Sequence, residues 1–242
     1  MSKQKLRVGV LMGGPSAERE ISLITGKTVT ENLNTKKYEV IPIEMSQDGK
    51  MMLLNRGDLK SIKYGDKKQQ NSLSIAKKQD NYGLSATKLD LIFIALHGTY
   101  GEDGCLQGLL ECLNVPYTGS RVLASALAMN KVKAAEIYRA HGLLTPDFID
   151  FQKTAWLKNK KELIKEIIKK IGFPVVIKPV DQGSAVGVSI VNTEKEMVKI
   201  IEKISRALGT DKEKQVLKQE YPKIEKTSVD LGVFVKLPPG TQ

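Results

Sequence analysis

Apolar positions along this chain alternate between short continuous runs and stretches with a helical period. Leu6–Met12 is a largely apolar run that ends in Gly13-Gly14-Pro15-Ser16, and beyond it Ile21, Ile24, Val29 and Leu33 recur at roughly helical spacing. A strand, a glycine turn and a helix open an α/β unit. Tyr38–Ile43 reads as a second strand, and the polar segment from Lys60 to Lys88 as an irregular surface excursion. Leu91–Leu96 is continuous and apolar, the pattern of a buried parallel strand. The glycine-rich segment His97–Gly104 leads from it into a helix through Leu113. Pro116–Ser120 opens a helical stretch through Met129, and another runs from Lys131 to about His141, capped by Gly142.

A second α/β pattern begins near Thr145-Pro146. It predicts a helix with apolar positions Leu163, Ile164, Ile167, Ile168 and Ile171. A strand Val175–Lys178, a glycine loop, a strand Val188–Val191, a helix from Thr193 to about Leu208 and a strand Gln215–Tyr221 follow. The result is a small α+β lobe. Val229–Lys236 is strand-like, but no further helix or strand follows to close that lobe.

Composition narrows the class. With 242 residues, 41% hydrophobic and 27% charged, the chain reads as a soluble globular protein of one large domain or two small ones. No apolar stretch approaches the ~20 residues of a membrane span, and Met1–Lys5 does not resemble a signal peptide, so a cytoplasmic location is expected. The net charge of +11 comes from lysine clusters around 60–78, 158–170 and 212–226 that are mixed with acids and carry few arginines or aromatics. They read as solvated faces, with no nucleic-acid and no membrane partner. Cys105 and Cys112 lie on one helix about 10 Å apart along its axis, too far for a disulfide. The expectation is that both are buried or half-buried.

Ligands of parallel α/β sheets gather where strands end, which singles out the loops after Met12 and after Leu96. A third candidate is Lys178–Gly187. A lysine at the end of an apolar strand, followed by glycines and a serine, can present an ammonium and backbone N–H groups to an oligophosphate. It is equally a β-hairpin whose glycines only turn the chain, and it does not match the Walker pattern.

Four motifs then carry a resemblance. Met12-Gly13-Gly14-Pro15-Ser16-Ala17-Glu18-Arg19-Glu20-Ile21-Ser22 resembles the first signature of D-alanine–D-alanine ligases, and Ala95–Gly104 the second. Pro116–Ser120 with Met129-Asn130-Lys131 is similar to the third, and Lys178–Gly187 to the loop that covers ATP. Their order and spacing over about residues 6 to 225 make accident improbable.

The resemblance implies an α/β fold: an N-terminal preATP-grasp, Rossmann-like parallel-sheet domain over 1–143 and the small α+β lobe of an ATP-grasp domain over 144–225. Residues 226–242 would begin the large lobe, the rest of which is missing. The implied reaction is ATP-dependent dipeptide formation through an acyl phosphate, in peptidoglycan precursor synthesis. Glu18 matches the acid that orients the first D-alanine through its ammonium; outside the motif it reads as a solvent-facing acid at a helix N-terminus. His97 matches the histidine near that substrate's carboxylate, against a capping or packing histidine. Lys131 and Lys178 match the lysines on the ATP phosphates, and Ser184, beside Gly183, the serine holding the substrate and phosphate region. Gln219–Tyr221 and Glu225 match the adenine hinge and the ribose acid. Glu102 and Asp103, though adjacent carboxylates, read as turn and cap residues, and Tyr117, Gly119 and Ser120 as shaping a turn.

Two departures stand out. Ala185 replaces a serine of the family loop, removing one hydroxyl. The chain also stops before the motifs expected to bind Mg2+, so no metal ligand is assigned within it, and the alternative reading is an inactive fragment that at most binds nucleotide or D-alanine. A non-catalytic binding module, an interaction protein and another ATP-grasp amino-acid ligase are the competing classes; the Glu18 and His97 motifs argue against the last. The second substrate stays open among D-alanine, D-lactate and D-serine, and a homodimer through the N-terminal domain is the implied assembly.

Overall fold

The computed structural model describes residues 4–63, 88–183 and 187–207. Contacts divide the chain into two compact units, Met1–Met129 and Asn130–Gln242. The helix that starts at Lys131 is tied to the second unit: the Lys131 N–H donates to the Val180 carbonyl at 2.9 Å.

In the first unit β1 (Leu6–Gly13) lies between β2 (Tyr38–Met45) and β4 (Leu91–Ile94), parallel to both. A short strand β3 (Met51–Leu53) pairs antiparallel with β2, giving the order β3-β2-β1-β4. Beyond β4, Ile92 receives a hydrogen bond from Thr118 N–H and donates to Pro116 O, so residues 116–118 extend that edge. Both faces of the sheet are covered, which explains why β1 is apolar without alternation. Leu11, Ile43, Met51 and Ile92 pack on one face with Leu106 and Leu110 of α3 (Cys105–Cys112). Val10 and Met12 pack on the other with Leu23 of α1 (Arg19–Asn32) and Leu59 of α2 (Arg56–Ser61). The unit ends in α4 (Val122–Met129).

Two expectations need correction, and one stretch carried no expectation at all. The segment before the polar excursion is ordered into β3 and α2, and the capping box Asn55/Asp58 that starts α2 is a sequence signal the reading passed over. Helix α1 exists as expected, and Ile24, Val29 and Leu33 pack against the core, but Ile21 is exposed, and the residues fully buried against the sheet are Arg19, Ser22, Leu23 and Gly26. Arg19 and Ser22 are polar there because they bond to the backbone of the strand ends. Cys105 and Cys112 are both exposed, since α3 turns Leu106 and Leu110 inward instead. Residues 64–87, most of the predicted excursion, lie outside the described residues.

Gly26 is a glycine for a packing reason. A Cβ there would stand 2.4 Å from the Cβ of Met12, which is itself held in β1. Alanine ordinarily favours a helix over glycine, yet Gly26→Ala is expected to destabilise the unit by about 1–2 kcal/mol, because α1 must lift off the sheet. A lower denaturation midpoint in urea at unchanged slope is the reading that checks it.

The second unit contains α5 (Lys131–Ala140), α6 (Lys153–Lys170), the antiparallel pair β5 (Val175–Ile177) and β6 (Ser189–Val191), and α7 (Glu194–Ala207). Trp156, Ile164 and Ile167 of α6 are buried, as are Val191 and Met197, Ile200, Ile201 and Ile204 of α7. Of the apolar positions assigned to α6, Ile168 is exposed. The predicted strands Gln215–Tyr221 and Val229–Lys236 lie outside the described residues.

Candidate functional site

In the first unit the ends of β1 and β4 are drawn together by one hydroxyl. Ser22 of α1 accepts from Gly13 N–H at 2.8 Å and donates to the Ala95 carbonyl at 2.7 Å. Gly13 and Gly14 both have left-handed φ, +92° and +85°, so the chain reverses sharply into α1. The Gly14 N–H donates to Met45 O at 2.7 Å, fastening this turn to the end of β2.

Glu18 sits at the N-cap of α1, but its side chain makes no capping bond, and the residue is 9% exposed. This differs from a solvent-facing helix acid. Its backbone N–H donates to the Ser16 hydroxyl at 3.0 Å. A Cβ on Gly98 would fall 2.8 Å from Glu18 Oε2 and 2.7 Å from Ser16 Oγ, so the carboxylate faces the loop after β4 at the residue next to His97. His97 Nε2 lies 3.1 Å from Thr25 Oγ1 on α1. The structure thus brings Glu18 and the His97 loop together.

Glu102 and Asp103 behave as turn and cap residues. Glu102 Oε2 accepts from Gly98 N–H at 2.6 Å, and Asp103 accepts from Tyr100 N–H and Cys105 N–H at 2.9 and 3.0 Å. Tyr117 donates to Glu111 at 2.8 Å, which Arg121 also contacts, in keeping with a role in the turn.

In the second unit Asn130 caps α5 by accepting from Lys133 N–H at 3.0 Å. The Lys131 ammonium donates to the carbonyl of Gln182, in the loop after β5. Lys178 directly follows β5 and is half-buried, as are Gln182 and Gly183. Burial pulls the pKa of Lys131 below the ordinary lysine value, and the nearby charge of Lys178 lowers it further, against an opposing effect of Asp181. Burial lowers Lys178 as well. Two partly desolvated ammonium groups that repel one another form a place where an anion is favoured. Ser184 and Glu225 lie outside the described residues.

Sequence reasoning missed Arg19, Ser22, Thr25 and Glu44. Glu44 had a signal, a carboxylate inside the apolar run Ile41–Met45. Ser22 and Arg19 stood in a quoted motif without a role, and nothing in the sequence marked Thr25.

Comparison with known proteins matches residues 7–120 to the family model described as D-ala D-ala ligase N-terminus and residues 137–234 to that of the C-terminus. The D-alanine–D-alanine ligase of Natranaerobius thermophilus is 38% identical over 208 residues, 82% of this chain and 56% of that protein. The VanG D-Ala:D-Ser ligase from Enterococcus faecalis superposes with TM-score 0.65 at 31% identity, covering 82% of this chain and 59% of that one. The D-alanine–D-alanine ligase from Bacillus anthracis complexed with ATP gives TM-score 0.59 at 35% identity, covering 84% and 54%. The chain spans about half the length of the curated relatives it matches. Two adjoining family models and relatives of one kind at the level of sequence and fold lead to a single assignment: the chain belongs to the D-alanine–D-alanine ligase family.

Proposed function

We propose that this chain forms the part of an ATP-dependent D-alanine–D-alanine ligase that binds the first D-alanine and the phosphates of ATP, serving peptidoglycan precursor synthesis in the cytoplasm. The observation that carries this reading is Glu18, a carboxylate buried at the start of α1 and set against the loop of His97. Such a carboxylate pairs with the ammonium of an amino acid, and the reading assigns the amino acid's carboxylate to His97. Lys131 and Lys178 hold the phosphates, with the backbone of Gly183 and the hydroxyl of Ser184 on the same loop. Glu225 takes the ribose.

The ligation itself has two steps. The γ-phosphoryl group passes from ATP to a carboxylate oxygen of one D-alanine, releasing ADP; the amine of a second D-alanine attacks that acyl carbon, and phosphate leaves. The lysines stabilise the charge that moves between phosphate oxygens, and Glu18 keeps the first substrate oriented. Magnesium is the ion expected with ATP in phosphoryl transfer. Among the described residues no group of three or more His, Cys, Asp or Glu is placed to hold a metal ion, so no step is assigned to it here.

Titration of the isotope-labelled chain with D-alanine tests the reading. Shifts at the Glu18 and Gly98 amides, absent with L-alanine, are expected, and Glu18→Gln should weaken binding about tenfold through loss of a charge-assisted bond while leaving ATP binding as it was. Equal affinity in Glu18→Gln would sink the role given to this residue. Phosphate release from ATP, Mg2+ and D-alanine then separates a catalyst from a binding module.

A further inference from the structure

Beneath the glycine turn lies an ion pair that the ligase chemistry does not itself require. Arg19 and Glu44 are in contact, with side chains only 7% and 1% exposed. Besides Glu44, the guanidinium donates to the carbonyl of Gly14 at 3.1 Å and to that of Met45. One planar fork therefore joins the turn after β1, the end of β2 and the first residue of α1. Gly13 leaves room for it: a Cβ there would be 2.7 Å from Arg19 Nη1 and 2.6 Å from Met45 O.

A pair of this kind is a poor source of stability. Charges removed from water are seldom repaid in full, and well-packed apolar residues of the same volume often serve better. Here the repayment is incomplete, since Arg19 Nε and Glu44 Oε2 are buried without a hydrogen-bond partner. Burial also keeps the pKa of Glu44 above the ordinary carboxylate value despite Arg19. What the pair provides is geometry, because a guanidinium can satisfy two carbonyls and a carboxylate in one fixed arrangement.

We propose that Arg19 and Glu44 are positioning residues that set the Gly13–Gly14 turn and the first turn of α1, and thereby aim the carboxylate of Glu18. The link is short: Glu18 directly precedes Arg19, and the Arg19 N–H closes the turn by donating to Ser16 O at 3.2 Å. The part of the proposal that concerns substrate rests on the reading of Glu18 given above.

The test uses two variants of the 242-residue chain. Arg19→Lys keeps the charge beside Glu44 but cannot present one nitrogen to the two carbonyls and a second to the carboxylate in a fixed plane. The double variant Arg19→Met/Glu44→Met removes both charges at similar volume and guards against a variant that simply fails to fold. Amide hydrogen exchange at Gly14 and Glu18 is expected to rise about tenfold in both, with exchange at Val10 in the middle of β1 unchanged. D-alanine binding should weaken about tenfold and ATP binding stay as in the wild type. A merely structural pair would instead loosen β1 along with the turn. Wild-type exchange at Gly14 and Glu18 in both variants overturns the proposal, as does faster exchange at Val10 to the same degree. Absence of D-alanine binding by the wild-type chain would count against the reading of Glu18, while the exchange rates still decide the role of the pair.

Discussion

Replacing Lys131 and Lys178 together by methionine is expected to weaken ATP binding by about a hundredfold to ten-thousandfold, the largest effect of any change in the second unit. Each ammonium that meets a phosphate oxygen makes a charge-assisted bond worth about 1.5–3 kcal/mol, and two are lost. Methionine keeps most of the stem, so packing against the loop after β5 survives. The half-burial of both residues and the bond from Lys131 to the Gln182 carbonyl place the groups before nucleotide arrives, which limits the entropy lost on binding.

The depressed pKa values add a second, independent reading. In the free protein both ammonium groups lose protons at lower pH than an ordinary lysine, whose value is 10.5. A bound polyphosphate favours the charged form and moves both back upward. ATP binding should therefore take up protons in the window just below 10.5, seen as a buffer-dependent heat in calorimetry, and the double variant should show none of it. The same shifts act on folding. In that window the unfolded chain holds more protons on these lysines than the folded one, so their contribution to stability rises with pH. An ATP affinity unchanged by the double substitution would remove the nucleotide role from this pair.

The second large effect is on the fold itself. Ser22→Ala deletes a hydroxyl that serves Gly13 N–H and the Ala95 carbonyl at once, and Ser22 has no exposed surface. Each orphaned group costs about 1–3 kcal/mol, so a loss of about 2–4 kcal/mol and a fall in melting temperature of about 10 °C are expected. Thr28→Ala on the outer face of α1, where the exposed hydroxyl bonds to the Ile24 carbonyl in its own helix, serves as the control and should change little. Similar melting temperatures for the two variants would show that the serine does not hold the strand ends. Because the hydroxyl connects the turn before Glu18 to the residue two before His97, a loss of D-alanine binding should accompany the loss of stability.

Much of the architecture was legible as pattern. The apolar run of β4 announced a strand covered on both faces, since a strand without a polar side has to be sandwiched by helices, and that of β1 announced the opening of an α/β unit. Helix α5 and the start of α7 could be read to within a residue or so, because helical periodicity and capping residues are local signals. The lysines and the glycine loops were legible too, as chemistry placed at strand ends. Strand β3, at three residues, was too short to show a period, and its place depends on pairing with β2.

The side chains that connect separate elements became visible only on folding. The periodicity of α1 pointed to Ile21, yet the sheet received Arg19, Ser22 and Gly26, because that face meets backbone carbonyls and the stem of Met12 where an aliphatic side chain would clash or leave polar groups unpaired. Glu44 is one acid in an apolar strand until Arg19, twenty-five positions away, is folded against it. Cys105 and Cys112 read as buried or half-buried, but their helix buries its other face. By itself the sequence determined which segments become strands and helices and which loops carry the chemistry, because those depend on neighbours a few residues apart. Which hydroxyl, guanidinium or glycine holds two such loops in register depends on contacts between residues tens of positions apart, and no local pattern records them.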